Sequence, residues 1–381
     1  MILNFNKKIV LILLTEAIAG ITFGVSMPLG SLTLETWGVS SSMIGLSSAM
    51  PALAAVIVTP FLPKLINYFD QLSILKFAFV LVPLSLVSLA FTENLFIWFF
   101  LRFSLGVGGT IIWVITEIWI NSYARDDNRG IIIAIYTSVL SLGFITGVLL
   151  LSMISVENYN TAFYMAATIA ILAAVPIWPI RDWPKHDVVE DISFFKYFKK
   201  TPSLMGSSWV MGFLYAGTAS LLPIFALQNE LNYSESSRTV AWLGSGELLL
   251  PILVGFMADR MSKRRLMIII TMITTLGMFI MPYIFSYPLP RVMLLFILGG
   301  AIMSLYSLGL TMLGHQFKGQ ALTSANASFI FFLCLGEICG PIVIGTSMDI
   351  FGSYSFGWVS ALFCFVYLLI FISTGSMKEV K

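Results

Sequence analysis

Apolar runs long enough to cross a bilayer follow one another along almost the whole chain. A helix needs about 20 predominantly apolar residues to span the hydrocarbon core. On that ruler the sequence predicts twelve spans, at 9–33, 43–63, 73–92, 95–119, 130–153, 161–180, 204–227, 238–258, 266–285, 291–313, 322–347 and 355–375. Such a chain cannot fold in water. It is 58% hydrophobic and 10% charged, whereas soluble domains carry roughly 25% charged residues and need polar groups to cover their surface. The first run follows Lys7 and Lys8. It exceeds the apolar core of a signal peptide and has no small-residue cleavage site, so it reads as a membrane helix that is kept.

One long polar stretch interrupts the pattern, from Arg181 to Pro202. It divides the chain into an expected N-terminal six-helix bundle (1–180), a linker (181–203) and a C-terminal six-helix bundle (204–381). Phe194, Phe195, Tyr197 and Phe198 lie among the linker lysines, the composition of a short amphipathic helix at a membrane surface. Charge asymmetry tests the topology. Of 21 Lys and Arg, only Arg238 and Arg291 fall at the span ends and loops of one side, and only Arg102 lies deep within a span. The rest gather on the side of the two termini, which the positive-inside rule makes cytoplasmic. The expected location is therefore a membrane crossed many times, with both termini on its cytoplasmic side. The two halves also echo each other: Gly143 and Gly147 in span 5, like Gly336 and Gly340 in span 11, form a Gly-x-x-x-Gly pair, roughly 195 residues apart. Two parallel six-helix repeats are one plan of secondary transporters, with the binding site between them near mid-membrane. Such a pair already forms a pathway, so a monomer is expected.

Ionisable groups inside a span cost at least about 2.5–3.5 kcal/mol each on insertion scales, so each needs a reason. Glu16 lies in span 1, Arg102 and Glu117 in span 4, Glu247 in span 8 and Glu337 in span 11. Spans 3, 6, 9 and 12 carry none in their middles and are expected to face lipid. Glu16 and Glu247 suit proton carriage or recognition of a cationic group; a hydrogen-bonded tie to a neighbouring helix is the structural alternative. Glu117 lies close to Arg125 and Arg129, and Glu337 beside Gly336, where each can serve structure alone. Arg102 keeps its proton and needs an anion. Glu16, at nearby depth, is the expected partner, and an anionic substrate group is the other reading.

Gly106, Gly108, Gly336 and Gly340 remove bulk from spans 4 and 11, letting helices approach and slide, and Pro341 permits a bend. Trp113, Trp119, Tyr136, Trp209, Tyr215, Trp242 and Tyr306 are candidates to line a cavity, though helix packing or an interfacial belt accounts for any one of them alone. Cys334, Cys339 and Cys364 all sit in apolar runs, which is neither a disulfide framework nor a metal set. A net charge of +2 gives no nucleic-acid signature, and no cofactor motif is present.

The loop after span 8, Gly255-Phe-Met-Ala-Asp259-Arg260-Met-Ser-Lys263-Arg264-Arg265, resembles the loop signature of the major facilitator superfamily, with Ser262 in place of its second glycine. The resemblance implies a conformational latch in which Asp259 holds the end of its helix against span 11 and the basic residues meet neighbouring helix ends. The equivalent first-half loop, from Pro60 to Asn67, lacks the aspartate. Arg102-x-x-x-Gly106-x-Gly108 is similar to the superfamily's fourth-helix motif, linked with proton coupling in exporters. Glu117-Ile-Trp119-Ile-Asn121, Arg129-Gly130, Tyr136, Tyr306-Ser-Leu-Gly309, Gly340-Pro341 and Met348-Asp349 are similar to the pattern of the bacterial YcaD-like branch.

The expected activity is thus secondary transport of a small organic solute by alternating access, coupled to protons. An intramembrane enzyme would need clustered His, Asp or Ser groups, and the sequence offers none. A transporter-like sensor without flux is the competing reading.

Overall fold

The computed structural model describes residues 7–123, 129–154, 158–179, 198–318 and 320–374. These form helices only. In chain order they are α1 (Lys7–Thr36), α2 (Ser41–Val58), α3 (Leu62–Tyr68), α4 (Gln71–Phe91), α5 (Leu95–Tyr123), α6 (Arg129–Leu151) and α7 (Tyr159–Ala174). After the linker come α8 (Pro202–Gln228), α9 (Tyr233–Ala258), α10 (Lys263–Ile284), α11 (Pro288–Gln316), α12 (Gln320–Phe351) and α13 (Ser355–Ser373). Most of the linker, with its expected surface helix, lies outside the described residues.

Eleven of these helices are long and apolar enough to cross a bilayer. The sixth expected span is the exception. The sequence predicts it at 161–180, but α7 ends at Ala174 after 16 residues, about 24 Å of rise. Pro176 and Pro179 account for the early end, because proline supplies no N–H to carry the helical hydrogen bonding on past Val175. The second span also stops short, at Val58, and the seven-residue α3 follows it.

The chain divides into two compact units. Unit 1 gathers Met1–Thr33, Met50–Glu190 and Tyr233–Ala241, and unit 2 gathers Leu34–Ala49, Asp191–Asn232 and Trp242–Lys381. In unit 1, α1 crosses α6 so closely that a methyl group on Gly143 would run into the carbonyl of Ala17, and one on Gly147 into that of Ile21. In unit 2, α8 crosses α12 in the same way, Gly336 over the carbonyl of Trp209 and Gly340 over that of Phe213. Lipid gives helices no hydrophobic reason to associate, so close backbone approach at small residues carries the packing. Elsewhere in unit 1, Gly106 admits Pro51 and Ala54 of α2, and Gly108 takes the side chain of Val82 from α4.

The helices free of mid-span charge turn large apolar side chains outward. On α10 these include Met272, Leu276 and Phe279, and on α13 Leu362, Phe365 and Leu369. Contiguous apolar surface of this kind is unstable in water and suits the acyl chains around it.

Candidate functional site

The polar interior of unit 1 is built at the crossing of α1, α5 and α6. Glu16 of α1 is 2% exposed, and Thr116 and Tyr136, from α5 and α6, are buried with it. The Thr116 hydroxyl joins them. It lies 2.5 Å from Glu16 Oε1 and 3.3 Å from the Tyr136 hydroxyl. It is also 2.8 Å from the carbonyl of Ile112 and 2.9 Å from that of Trp113, one turn back on its own helix. Glu117 follows directly and lies within electrostatic reach of both Glu16 and Tyr136. A turn further on, the buried Trp119 donates its indole N–H to Gln71 Oε1 at 2.5 Å. Thr116 and Gln71 carried no signal in the sequence, since a lone threonine or glutamine in an apolar run looks like helix packing.

Arg102 is placed elsewhere. Its guanidinium is 3% exposed, its Nη1 donates to the carbonyl of Ser26 at 3.2 Å, and it packs on Gly30. Ser26 lies ten residues beyond Glu16, about 15 Å along α1. The expected Arg102–Glu16 ion pair is therefore absent. Among the described residues the guanidinium has that single hydrogen bond, and its Nε has no partner. Sequence depth alone misjudged this pair, because it counts turns from the membrane edge and ignores where a long side chain reaches.

Unit 2 holds a second polar group. Glu247 of α9 and Glu337 of α12 both lie within electrostatic reach of Tyr215 on α8. All three are half-buried, and among the described residues neither carboxyl makes a hydrogen bond. Carboxylates that are partly accessible and without donors can receive a proton, a cation or a hydroxyl. Apart from Tyr215, the aromatic candidates of unit 2 are not gathered there. Trp209 packs at a tilt against Phe213 and Phe363, and Tyr306 lies against Phe329. Trp242 is 44% exposed and lines a wholly apolar hollow with Val292, Met293, Phe296 and Ile297. Trp113, in unit 1, is exposed. Packing and the lipid face claim these four.

At the loop between α9 and α10, Gly255 has open space around it. Asp259 and Arg260 are exposed, and the Asp259 side chain has no hydrogen bond or ion pair among the described residues. Arg264 Nη2 donates to the carbonyl of Ile372 at 3.1 Å, at the end of α13. So one basic residue of the loop does meet a neighbouring helix end, while Asp259 is not engaged with α12. No cluster of three or more His, Cys, Asp or Glu that could hold a metal occurs among the described residues.

Comparison with known proteins agrees with this architecture. The sequence model of the Major Facilitator Superfamily matches residues 12–249 and 204–379. YfkF of Bacillus subtilis (strain 168), described as an uncharacterized MFS-type transporter, is 24% identical over 356 residues, covering 90% of this chain and 89% of its own. YcaD of Escherichia coli O17:K52:H18, described in the same words, is 24% identical over 369 residues, covering 95% and 93%. Among solved structures, a mutant form of the nucleoside transporter NupG superposes with a TM-score of 0.83 at 15% identity, covering 97% of this chain and 100% of its own. A D-xylose-proton symporter does so with a TM-score of 0.79 at 14% identity, covering 98% and 99%.

Proposed function

The chain belongs to the Major Facilitator Superfamily, and from that membership we propose that it is a proton-coupled carrier of a small organic solute, working by alternating access. It is a multi-pass membrane protein of a transporter family, with the YcaD-like pattern of its sequence matched by its relatives. The finer reading is ours: two six-helix repeats, both termini on the cytoplasmic side of a bacterial plasma membrane, and a monomer as the working unit. The matched crossings support the repeats, since α1 over α6 and α8 over α12 use glycines one turn apart on carbonyls one turn apart.

The observation that carries proton coupling is the set of oxygens around Thr116. Its hydroxyl has one proton, yet Glu16, Ile112 and Trp113 all offer acceptors within 2.9 Å. If Glu16 holds a proton, it donates to Thr116, and Thr116 donates to the carbonyl behind it. The contact with Glu16 then has its own hydrogen, and the threonine's proton is left for the two carbonyls behind it, Ile112 and Trp113. If Glu16 is ionised, the threonine must choose between carboxylate and backbone. The network therefore accommodates a protonated Glu16, and loss of that proton rearranges it. The Tyr136 hydroxyl reaches both Thr116 and Glu16 and adds a further exchangeable proton to the group. In unit 2, Glu247 and Glu337 flank Tyr215 with unoccupied acceptors and supply a group to meet solute or a second proton. The fold's solved neighbours include a nucleoside transporter and a D-xylose-proton symporter; both support a small polar solute, and the second supports coupling.

The test is proton flux into dye-loaded proteoliposomes across a panel of metabolites and organic cations, repeated with Glu16→Gln and Glu247→Gln. Flux with one compound, abolished by one of the two changes, supports the reading and identifies the coupling residue. Solute movement without proton flux, equal in both variants and the wild type, overturns the coupling and leaves these glutamates structural.

A further inference from the structure

The first turn of α2 is capped by a residue from the other end of the sequence. Asp349, in the last turn of α12, accepts the backbone N–H of Ser41 on Oδ1 and that of Ser42 on Oδ2, each at 2.8 Å and across 308 and 307 residues. The next two donors of α2, the N–H groups of Met43 and Ile44, go to the carbonyl of Ser40 at 3.0 Å. The N–H groups of Ser41, Ser42 and Met43, which come before the first full helical bond of α2 (Ile44 to Ser40), are thus all satisfied, two of them by this one carboxylate. The helices are pressed together below it. A methyl group on Gly345 would run into the carbonyl of Ser41, and one on Gly45 into that of Pro341. Charge complementarity adds to the geometry, because a helix N-terminus carries about half a positive charge. Glu35 also lies within electrostatic reach of Asp349, so a second negative charge strains the junction from the end of α1.

Ordinarily a helix beginning Ser40-Ser41-Ser42 caps itself, with the hydroxyl of the N-cap serine accepting the N–H two or three residues on. Here that hydroxyl is turned aside: Ser40 Oγ lies 3.0 Å from Ser42 Oγ, while the Ser42 N–H goes to Asp349. The local cap is present in the sequence and is displaced by the distant one. We propose that Asp349 is a releasable latch between the starting end of α2 and the finishing end of α12, and that Ser40 is the spare cap that takes over when the latch lets go. The exchange hands the Ser42 N–H from Asp349 to Ser40 and leaves only the Ser41 N–H to water, so release costs little and reverses readily. A comparable junction occurs in unit 1 with the charges reversed. There Ser234 Oγ donates to the carbonyl of Ser152 at 2.7 Å, just past the end of α6, and Arg238 Nε lies 3.5 Å from Ser152 Oγ, a cation where a helix C-terminus favours one.

The purpose of the latch, holding the non-cytoplasmic side shut between turnovers, rests on the alternating-access reading; its existence is tested without transport. Spin labels at Val39→Cys and Phe351→Cys, with Cys334, Cys339 and Cys364 replaced by alanine, report the separation of the two helix ends by pulsed electron resonance in nanodiscs. Asp349→Ala is expected to raise the ratio of long to short separations about tenfold, the factor carried by ~1.4 kcal/mol. Ser40→Ala removes the spare cap and is expected to lower the same ratio. Both variants are compared as monodisperse protein, so a misfolded sample is recognised before it is measured. An unchanged distribution in Asp349→Ala overturns the latch. A shift of Ser40→Ala in the same direction as Asp349→Ala overturns the spare cap. Opposite shifts in a protein that moves no solute of any class uphold the latch and sink the transport reading instead.

Discussion

The Thr116 hydroxyl and the Glu16 carboxyl meet at 2.5 Å in the dry interior of unit 1, one on α5 and the other on α1. Thr116→Val keeps the shape of the side chain and deletes the oxygen that Glu16 and Tyr136 share. Leaving a buried polar group without its partner costs about 1–3 kcal/mol, so a lowered thermal midpoint is expected in detergent. The larger effect is expected on proton flux, with a loss of at least about tenfold if the threonine relays or positions the proton. Flux in proteoliposomes equal to the wild type, in a variant with the expected loss of stability, would leave Thr116 as packing alone.

Arg102 gives a prediction of unusual sign. Removing one partner of a buried ion pair destabilises by about 3–5 kcal/mol, whereas replacing an unfavourably buried charge with an apolar residue of similar volume is often neutral or stabilising. Arg102 is buried with a single carbonyl for company. Arg102→Met is therefore expected to hold or raise the thermal midpoint of the purified protein. A fall of several degrees would mean that Glu16 or another acid depends on the guanidinium after all.

How much of this could be read in advance follows from the range of the physics involved. The spans were legible because lipid imposes a length of about 20 apolar residues wherever a helix crosses; the one marked departure, α7, ends where Pro176 and Pro179 interrupt the pattern. Gly143, Gly147, Gly336 and Gly340 were legible as pairs, and each occupies a helix crossing. Glu16 stood out as an acid in an apolar run. What surrounds it did not, because Thr116 acquires meaning only when α5 is laid against α1. The Arg102 pairing failed for a related reason, and the contact of Asp349 with Ser41 and Ser42 joins residues about 300 apart that no local pattern connects.

The glycines separate into those that packing requires and those it does not. Gly143 lies against the backbone of Ala17, while Gly109, on α5, has nothing within 4 Å of where a side chain would begin. Gly143→Leu is expected to abolish stable expression, since the obstruction is main chain and cannot rotate away. Gly109→Ala is expected to be tolerated and to gain up to about 1 kcal/mol from helix propensity. Size-exclusion profiles and thermal midpoints of the two variants check this, and equal behaviour would mean that the α1–α6 crossing is looser than described.

In unit 2 the two acids near Tyr215 make a prediction about coupling between residues. Glu247 and Glu337 act on the same tyrosine, and neither carboxyl is engaged by a hydrogen bond among the described residues. If they share one proton or one solute group, each single change, Glu247→Gln or Glu337→Gln, removes most of the function and the double change removes little more. Groups that act as a unit are grossly non-additive in this way. If they act independently, the losses multiply. The measurement is solute-driven proton flux for the wild type, both single variants and the double variant at matched protein density. An interaction energy of about 0.5–3 kcal/mol is the range for residues that share a partner. A value near zero would separate the two carboxyls functionally and leave Glu337 as a group that braces α12 against α8, beside the Gly336 crossing.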